Sequence, residues 1–298
     1  MNVLITGSSG FLGKHLAETF IKNGFKVYGA TRAPAISQYN QYAVDVNDFF
    51  NLNKIVSERN IEIIVHTAGK PVVQDCERNP YDAYKINGLG TASVLEVARL
   101  NNVKKVISVE TDKVYGYQKV VPTDENAKPN PNSPYEFSKY IASEFARFYR
   151  NYYNLEVISV RPANLFGPFD FSTTRIIPKA LDNLKKGIGI RLYESAINMK
   201  RDFVYVVDAA NIIYTLATES CKYDTYNISD NKPMTIKTVA DKIVNSLELN
   251  IPHEIVKKTT TFNEIPLQEI DGERFKKEFN FKFTPFEDAI KETWRLMK

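Results

Sequence analysis

Over the first 160 residues, short runs of β-branched residues alternate with stretches in which apolar side chains return every three or four positions. The runs Val3–Ile5, Lys26–Ala30, Ile61–His66, Lys105–Val109 and Glu156–Val160 read as strands. Between them, Phe11–Asn23, Phe49–Arg59, Pro80–Leu100 and Pro134–Tyr153 read as helices. In the last of these, Phe137, Ile141, Phe145 and Phe148 recur at three- and four-residue steps and predict one buried face. Strand and helix in strict alternation build β-α-β crossovers, which predicts an α/β fold: a doubly wound parallel sheet with helices on both faces. After Pro162 the alternation breaks at the loop Gly167-Pro168-Phe169-Asp170 and gives way to a mixed pattern. The expected division is therefore 1–165 for the sheet domain and 166–298 for a smaller mixed lobe, with about 202–229 packing back on the sheet. Later helices are expected at Asp208–Thr218, Thr235–Leu247 and Pro285–Met297.

Composition narrows this only slightly. The 298 residues are 43% hydrophobic and 25% charged, ordinary for a globular chain able to bury a core. A formal charge of +4, with lysine and arginine scattered, disfavours nucleic acid as a partner. No apolar run reaches the roughly 18 residues of a spanning helix, so no membrane association is expected. The start Met1–Thr6 has no basic stretch before an apolar one, so a secretion signal is not expected either. Cys76 and Cys221 fall in no ligand pattern and read as free thiols of a cytoplasmic protein; with His15, His66 and His253 also lacking ligand spacing, no metal site is expected.

The strongest local signal follows the first strand, where Gly7-Ser8-Ser9-Gly10-Phe11-Leu12-Gly13 leads into a helix. Gly7 permits the tight turn, Gly10 lets backbone approach a pyrophosphate, and Gly13 lets helix and strand pack closely. A helix N-terminus then faces the phosphates, which makes Gly7, Ser9, Gly10, Phe11, Leu12 and Gly13 candidate dinucleotide-binding residues. The second strand ends Thr31-Arg32, without the acidic residue that holds a ribose 2′-hydroxyl. Arg32 is either a partner for a 2′-phosphate, favouring NADP slightly over NAD, or a solvated arginine at a strand end. Asp45 and Val46, after the next short strand, are placed to touch adenine; Asp45 is equally suited to forming a turn.

Tyr135 and Lys139 lie four residues apart, on one face of the long helix. An ammonium beside a phenol favours the phenolate, making Tyr135 a usable base toward a hydroxyl whose carbon gives up hydride. At the carboxyl end of the fifth strand, where ligands of α/β sheets bind, stand Thr111, Asp112 and Lys113. Thr111 can donate to the oxygen that Tyr135 deprotonates. Asp112 and Lys113 either form a second acid/base couple, beyond what alcohol oxidation requires, or an ion pair in a strand-end turn.

These segments, together with His66-Thr67-Ala68-Gly69, Asn87-Gly88-Leu89-Gly90-Thr91, Arg161-Pro162-Ala163-Asn164-Leu165-Phe166-Gly167-Pro168 and Arg201-Asp202-Phe203-Val204-Tyr205-Val206, resemble the extended short-chain dehydrogenase/reductase family. The resemblance spans nearly the whole chain and lies with the nucleotide-sugar epimerase and dehydratase branch. It implies a Rossmann domain holding NADP or NAD, with Ala68, Gly69, Lys70, Asn87, Tyr135, Lys139 and Pro162 as further cofactor contacts. It also implies a nucleotide diphosphate sugar as substrate, bound between the two lobes, with Asn164, Arg175 and Arg201 as contacts. Arg201 suits a pyrophosphate because guanidinium pairs with phosphate through two hydrogen bonds.

Thr111-Asp112-Lys113 is similar to the Thr-Asp-Glu or Thr-Asp-Lys segment of sugar 4,6-dehydratases, where 4-epimerases carry small residues. Gly69–Val73 and Thr174–Pro178 look like the CDP-glucose dehydratase group. The implied reaction oxidises sugar C4 with Tyr135 as base, removes the C5 proton with Lys113, expels the 6-hydroxyl with help from Asp112, and returns hydride to C6. A 4-epimerase, an NADPH-consuming 4-keto-sugar reductase and a non-catalytic dinucleotide binder are the alternatives. The base and sugar would be selected by loops around Phe169–Ile177, Tyr193–Arg201 and Pro266–Arg274. Family members often pair through two helices of the Rossmann lobe, which implies a homodimer through the apolar faces of Tyr81–Leu100 and Pro134–Phe148.

Overall fold

A computed structural model describes residues 1–34, 37–257 and 267–297; Pro266, one end of a loop expected to select the substrate, lies outside them. The chain forms two compact units. The first comprises residues 1–116, 125–162 and 210–226; the second comprises 117–124, 163–209 and 227–298.

The first unit follows the alternation read from the sequence. Its elements are β1 (Asn2–Thr6), α1 (Phe11–Lys22), β2 (Lys26–Thr31), β3 (Asn40–Ala43), α2 (Phe49–Glu58), β4 (Ile63–His66), α3 (Val73–Arg78), α4 (Pro80–Ala83), α5 (Gly90–Leu100), β5 (Lys105–Val109), α6 (Pro134–Tyr153) and β6 (Val157–Pro162). The chain continues through β7 (Asn164–Phe166), α7 (Ile176–Lys185), β8 (Arg191–Tyr193), β9 (Lys200–Arg201), β10 (Phe203–Tyr205), α8 (Val206–Thr218) and β11 (Thr225–Ile228). Seven strands form one sheet in the order β11-β6-β5-β4-β1-β2-β3. Pairs β1–β2, β2–β3, β1–β4, β4–β5 and β5–β6 are parallel. Ser159 N donates to Asp224 O and Ala163 N to Ile228 O, the same offset twice, so β11 also runs parallel to β6.

This is the expected doubly wound sheet. Val3, Leu4 and Ile5 of β1 are completely buried, as a strand covered on both faces must be. One face packs Leu4, Ile64, Val106 and Val157 against Leu52 and Val56 of α2, Val94 and Leu95 of α5, and Ala146 of α6. Strand order reverses between β1 and β4, whose ends Thr6 and His66 are register partners. The crevice beyond those two ends is the place where such sheets bind ligands.

Two local expectations need correction. The stretch Pro80–Leu100 is not one regular helix: Tyr84–Leu89 is wound as a π-helix between α4 and α5, and it carries Asn87. Such a segment inserts a residue into the turn and re-aims its side chains, and it tends to mark functional positions. Nor does the aromatic stripe of α6 form the buried face. The buried positions are Tyr135, Ser138, Lys139, Ala142, Ser143 and Ala146, whereas Phe137 and Phe148 are 45% and 48% exposed. Small side chains let the helix lie close to the sheet; of the stripe, Phe145 still packs against the core, while Phe137 and Phe148 are left on the outer side.

The second unit adds β12 (Met234–Thr235), α9 (Ile236–Ser246), β13 (Glu254–Val256), β14 (Leu267–Gln268), α10 (Glu273–Phe279) and α11 (Phe286–Leu296). Its core joins Leu181 and Leu184 of α7, Val239 and Ile243 of α9, and Ile290 of α11 to Phe166 and Tyr205. Short strand pairs β7–β10, β8–β13 and β9 between β12 and β14 complete it.

Candidate active site

The glycine turn has the geometry its sequence requires. Gly7 sits at φ +70°, and a Cβ there would meet Ala68 N at 2.8 Å. At Gly13 a Cβ would lie 2.2 Å from the Gly7 carbonyl, so any side chain would drive α1 off the turn. Gly10 is the residue preceding α1; no side chain caps this N-terminus, and no acidic residue occupies the first turn. A helix N-terminus of this kind suits an anion, and Phe11 and Leu12 form its first turn, half-buried. Ser9 Oγ shares a hydrogen bond with Thr31 Oγ1 at the end of β2. The donors, the close backbone approach and the uncapped helix all fit a dinucleotide pyrophosphate.

Arg32 is exposed beside this turn. Asp45 accepts from the backbone and side-chain amides of Asn47 at 2.9 and 2.8 Å, so it is a turn former as well as an anion. Burial works to raise its pKa, but the Asn47 hydrogen bonds and the charges of Arg32 and Lys85 outweigh that and hold it below the usual carboxylate value. Val46 lies against Gly90, where a Cβ would come within 2.7 Å of its Cγ2.

A directed chain of hydrogen bonds runs from β1 to the start of α6. Thr91 Oγ1 donates to the Asn87 carbonyl at 2.6 Å, so toward His66 Nε2, at 3.0 Å, it acts as acceptor. That assigns the Nε2–H tautomer to His66, whose Nδ1 then accepts from Thr6 Oγ1 at 2.7 Å. Thr6 Oγ1 in turn accepts from Ala68 N. Asn87 takes the Lys70 N–H on Oδ1 at 2.7 Å and donates through Nδ2 to Ser138 Oγ at 2.8 Å; Ser138 Oγ donates to the Tyr135 carbonyl. Ala68, Gly69, Lys70, Asn87 and the first turns of α6 are thus one polar assembly. Burial, then the charge of Lys139, pushes His66 down to about 3, so the ring is neutral and its two hydrogen bonds hold.

The start of α6 is fixed by Ser133, whose Oγ accepts from Glu136 N, and by Pro134 in its first turn. One turn later Lys139 is buried, its Nζ donating to the Val109 carbonyl at the end of β5 at 3.0 Å. A Cβ on Gly69 would lie 3.6 Å from the same Nζ. Burial lowers Lys139 to about 8, against the opposing pull of Glu110 and Cys76. Tyr135 is buried in a cluster with Cys76 and Ala83. Thr111 and Asp112 are also buried; Thr111 Oγ1 donates to Asp112 Oδ1 at 3.3 Å and accepts from Lys113 N, opening a turn of 3₁₀-helix over Asp112–Tyr115. Lys113 is half-buried in that turn. Pro162 closes the buried strand β6.

The remaining three candidates belong to the second unit. Asn164 donates through both its backbone N–H and its side-chain Nδ2 to the Asp202 carbonyl, which places it beside the residue following Arg201. Arg201 donates to the Lys200 carbonyl. Arg175 pairs with the buried Asp170 at 2.6 Å and donates to the Leu165 carbonyl, so it is bound into its own loop. The sequence reading had no role for Thr6, His66, Thr91 or Ser138 in the site. Their only signal was polar residues at the ends of strands and on the inner faces of helices, which the burial pattern alone identifies.

A profile described as NAD dependent epimerase/dehydratase family matches residues 3–229. The chain belongs to this family. It is 31% identical over 180 residues to a UDP-glucose 4-epimerase of Mycolicibacterium smegmatis, covering 56% of this chain and 57% of that one. It is 28% identical over 296 residues to a dTDP-glucose 4,6-dehydratase of Salmonella typhimurium, covering 89% and 80%. The crystal structure of a dTDP-glucose 4,6-dehydratase from Bacillus anthracis in complex with NAD superposes with a TM-score of 0.86 at 26% identity, covering 99% and 96%. The central sheet is accordingly Rossmann-like and the protein is an enzyme of the epimerase/dehydratase family, with relatives of both activities.

A neutral buried histidine ties stability to pH. His66 titrates near its ordinary value in the unfolded chain and near 3 in the folded one, so the unfolded state binds the extra proton and stability falls as pH drops below about 6.5. Urea unfolding at pH 6.5 and pH 5 is expected to show a loss of about 2 kcal/mol from this group. The His66→Gln variant, though less stable at every pH, should lack that part of the slope.

Proposed function

We propose that this enzyme is a nucleotide diphosphate sugar 4,6-dehydratase. The observation that carries the reading is the buried Thr111–Asp112 pair, with Lys113 in the same short helix, at the end of the strand whose Val109 carbonyl holds Lys139. A bound nicotinamide dinucleotide supplies a two-electron acceptor that is restored within each turnover. Tyr135 removes the proton of the sugar 4-hydroxyl, with the Lys139 ammonium offsetting the phenolate charge. The C4 ketone acidifies the C5 proton; Lys113 removes it, and Asp112 delivers a proton to the 6-hydroxyl, which leaves as water. The product is a 4-keto-6-deoxy sugar, and the sum is the loss of one water without external oxidant. Asn164, Arg175 and Arg201 serve the substrate, Arg201 on the pyrophosphate.

A 4-epimerase is the second reading. It is favoured by the half-exposure of Lys113, which leaves that lysine able to shape the pocket without acting as a base. A panel of nucleotide sugars incubated with the enzyme and read by mass spectrometry separates the two. Loss of 18 Da is expected; unchanged mass with inverted C4 overturns dehydration, and stoichiometric consumption of NADPH means a reductase. Tyr135→Phe should reduce kcat by at least about 10²-fold in either case, whereas Lys113→Met should abolish water loss only in a dehydratase.

We infer that the cofactor is NADP in preference to NAD. Support comes from the end of β2, where Thr31 and exposed Arg32 replace a carboxylate. Titration calorimetry should give tighter binding of NADP, and Arg32→Asp should reverse the order. NAD binding equally well to both proteins would overturn this.

The homodimer is proposed through the outer faces of α4–α6. Tyr81, Leu89, Phe137 and Phe148 are 74%, 57%, 45% and 48% exposed there, large apolar side chains that a second copy would cover. Sedimentation should give a dimer, and Phe137→Asp with Phe148→Asp should give a monomer that retains its fold.

A further inference from the structure

The residue just before the Thr-Asp-Lys turn is a glutamate enclosed on every side. Glu110 is 4% exposed, and its Oε2 accepts from Arg161 Nε at 2.9 Å and from Ser143 Oγ at 2.6 Å. Oε1 is buried without a hydrogen-bond partner. Arg161, on β6, also donates to Tyr115 Oη at 3.0 Å, with its guanidinium 5.0 Å from the centre of that ring. A buried anion is costly unless it is paired and hydrogen-bonded; Arg161 and Ser143 satisfy only Oε2, which leaves this carboxylate placed to act on a second buried cation nearby.

Lys139 is in that position. It is a buried ammonium whose protein acceptor is a neutral carbonyl, that of Val109, the neighbour of Glu110 in the chain. Ser143, one turn beyond Lys139 on α6, fastens the carboxylate to the same helix: its hydroxyl donates to Glu110 Oε2 at 2.6 Å and lies 3.2 Å from the main-chain carbonyl of Lys139. Among the described residues, the other groups that act with the ammonium carry no compensating charge. Cys76, on α3, is a thiol that burial keeps protonated, and His66, on β4, is neutral. On the far side of the carboxylate stand Arg161, paired with it at 2.9 Å, and, at longer range, Arg150.

We propose that Glu110 is a positioning residue for the Tyr135–Lys139 couple: clamped by Arg161 and Ser143, its carboxylate supplies the counter-charge that keeps the buried lysine a cation. The proposal rests on Tyr135 and Lys139 acting as read above. It adds that the lysine would otherwise lose its proton to burial within the working pH range and cease to support a phenolate. Removing the glutamate charge therefore acts on the base limb of the pH profile, where the lysine deprotonates, and moves that limb toward lower pH.

The test reads Lys139 directly, independently of turnover. In protein labelled with [ε-13C]lysine, the Lys139 resonance is assigned by its disappearance in Lys139→Met and titrated in wild type, Glu110→Gln and Glu110→Asp. The expected result is a midpoint about one pH unit or more lower in Glu110→Gln, with the base limb of kcat/KM moving by the same amount while KM changes little. Glu110→Asp, which keeps the charge, should restore the midpoint even if the protein melts earlier. A folded Glu110→Gln protein with an unmoved midpoint overturns the proposal, since a purely structural glutamate would alter melting alone. Should the single variant fail to fold because Arg161 is left unpaired, Glu110→Gln is made in an Arg161→Gln background and compared with Arg161→Gln alone, so that only the glutamate charge differs, and the midpoint should again be lower without it. If the nucleotide-sugar reading fails, no turnover is seen in any variant, yet the NMR midpoint still decides the role of Glu110.

Discussion

The site depends on keeping a positive charge inside a dry protein. Lys139 lies at the junction of α6, the end of β5 and the loop after β4, where water cannot solvate it, and burial drags it down to about 8. The surrounding architecture limits that loss. A backbone carbonyl accepts a hydrogen bond from it, and a carboxylate fixed by an arginine stands next along the chain. The closeness of α6 to the sheet, achieved with Ser138, Ala142, Ser143 and Ala146, brings these groups within reach of one another.

The same economy explains the neutral half of the assembly. His66 could have been a second cation beside Lys139, and two like charges at that spacing in a low dielectric would oppose each other. Its burial between Thr6 and Thr91 prevents this by fixing one tautomer. The result is a rigid line of alternating donors and acceptors from the glycine turn, through Asn87 in its π-helical segment, to the first turn of α6. A dinucleotide site and a proton-transfer site so joined are held in register by hydrogen bonds rather than by apolar packing alone.

Much of this could be read without coordinates, because parallel sheets and glycine turns impose strong local rules. Val3–Ile5 followed by Gly7, Gly10 and Gly13 admits few other structures, and the alternation of strands with helices implies a doubly wound parallel sheet, though not the order of its strands. Periodicity misled where two faces of one helix are both occupied: Phe137 and Phe148 repeat as a core stripe does, yet most of the core side of α6 is small or polar, namely Ser138, Lys139, Ala142, Ser143 and Ala146. The π-helical winding at Tyr84–Leu89 was hidden for a related reason, since one inserted residue barely disturbs an apolar repeat. Ser143 and Arg161 lie 33 and 51 residues from Glu110 along the chain, and only the folded chain shows that one carboxylate oxygen serves both partners.

The account stands most directly on where the phenol and the ammonium lie when a sugar is present. A crystal structure with dinucleotide and a 4-deoxy-4-fluoro nucleotide hexose would show this. The Tyr135 oxygen is predicted within about 3.5 Å of the C4 substituent, with Lys139 still on the Val109 carbonyl. A Tyr135 oxygen at roughly twice that distance, or a Lys139 side chain turned away to solvent, would contradict it.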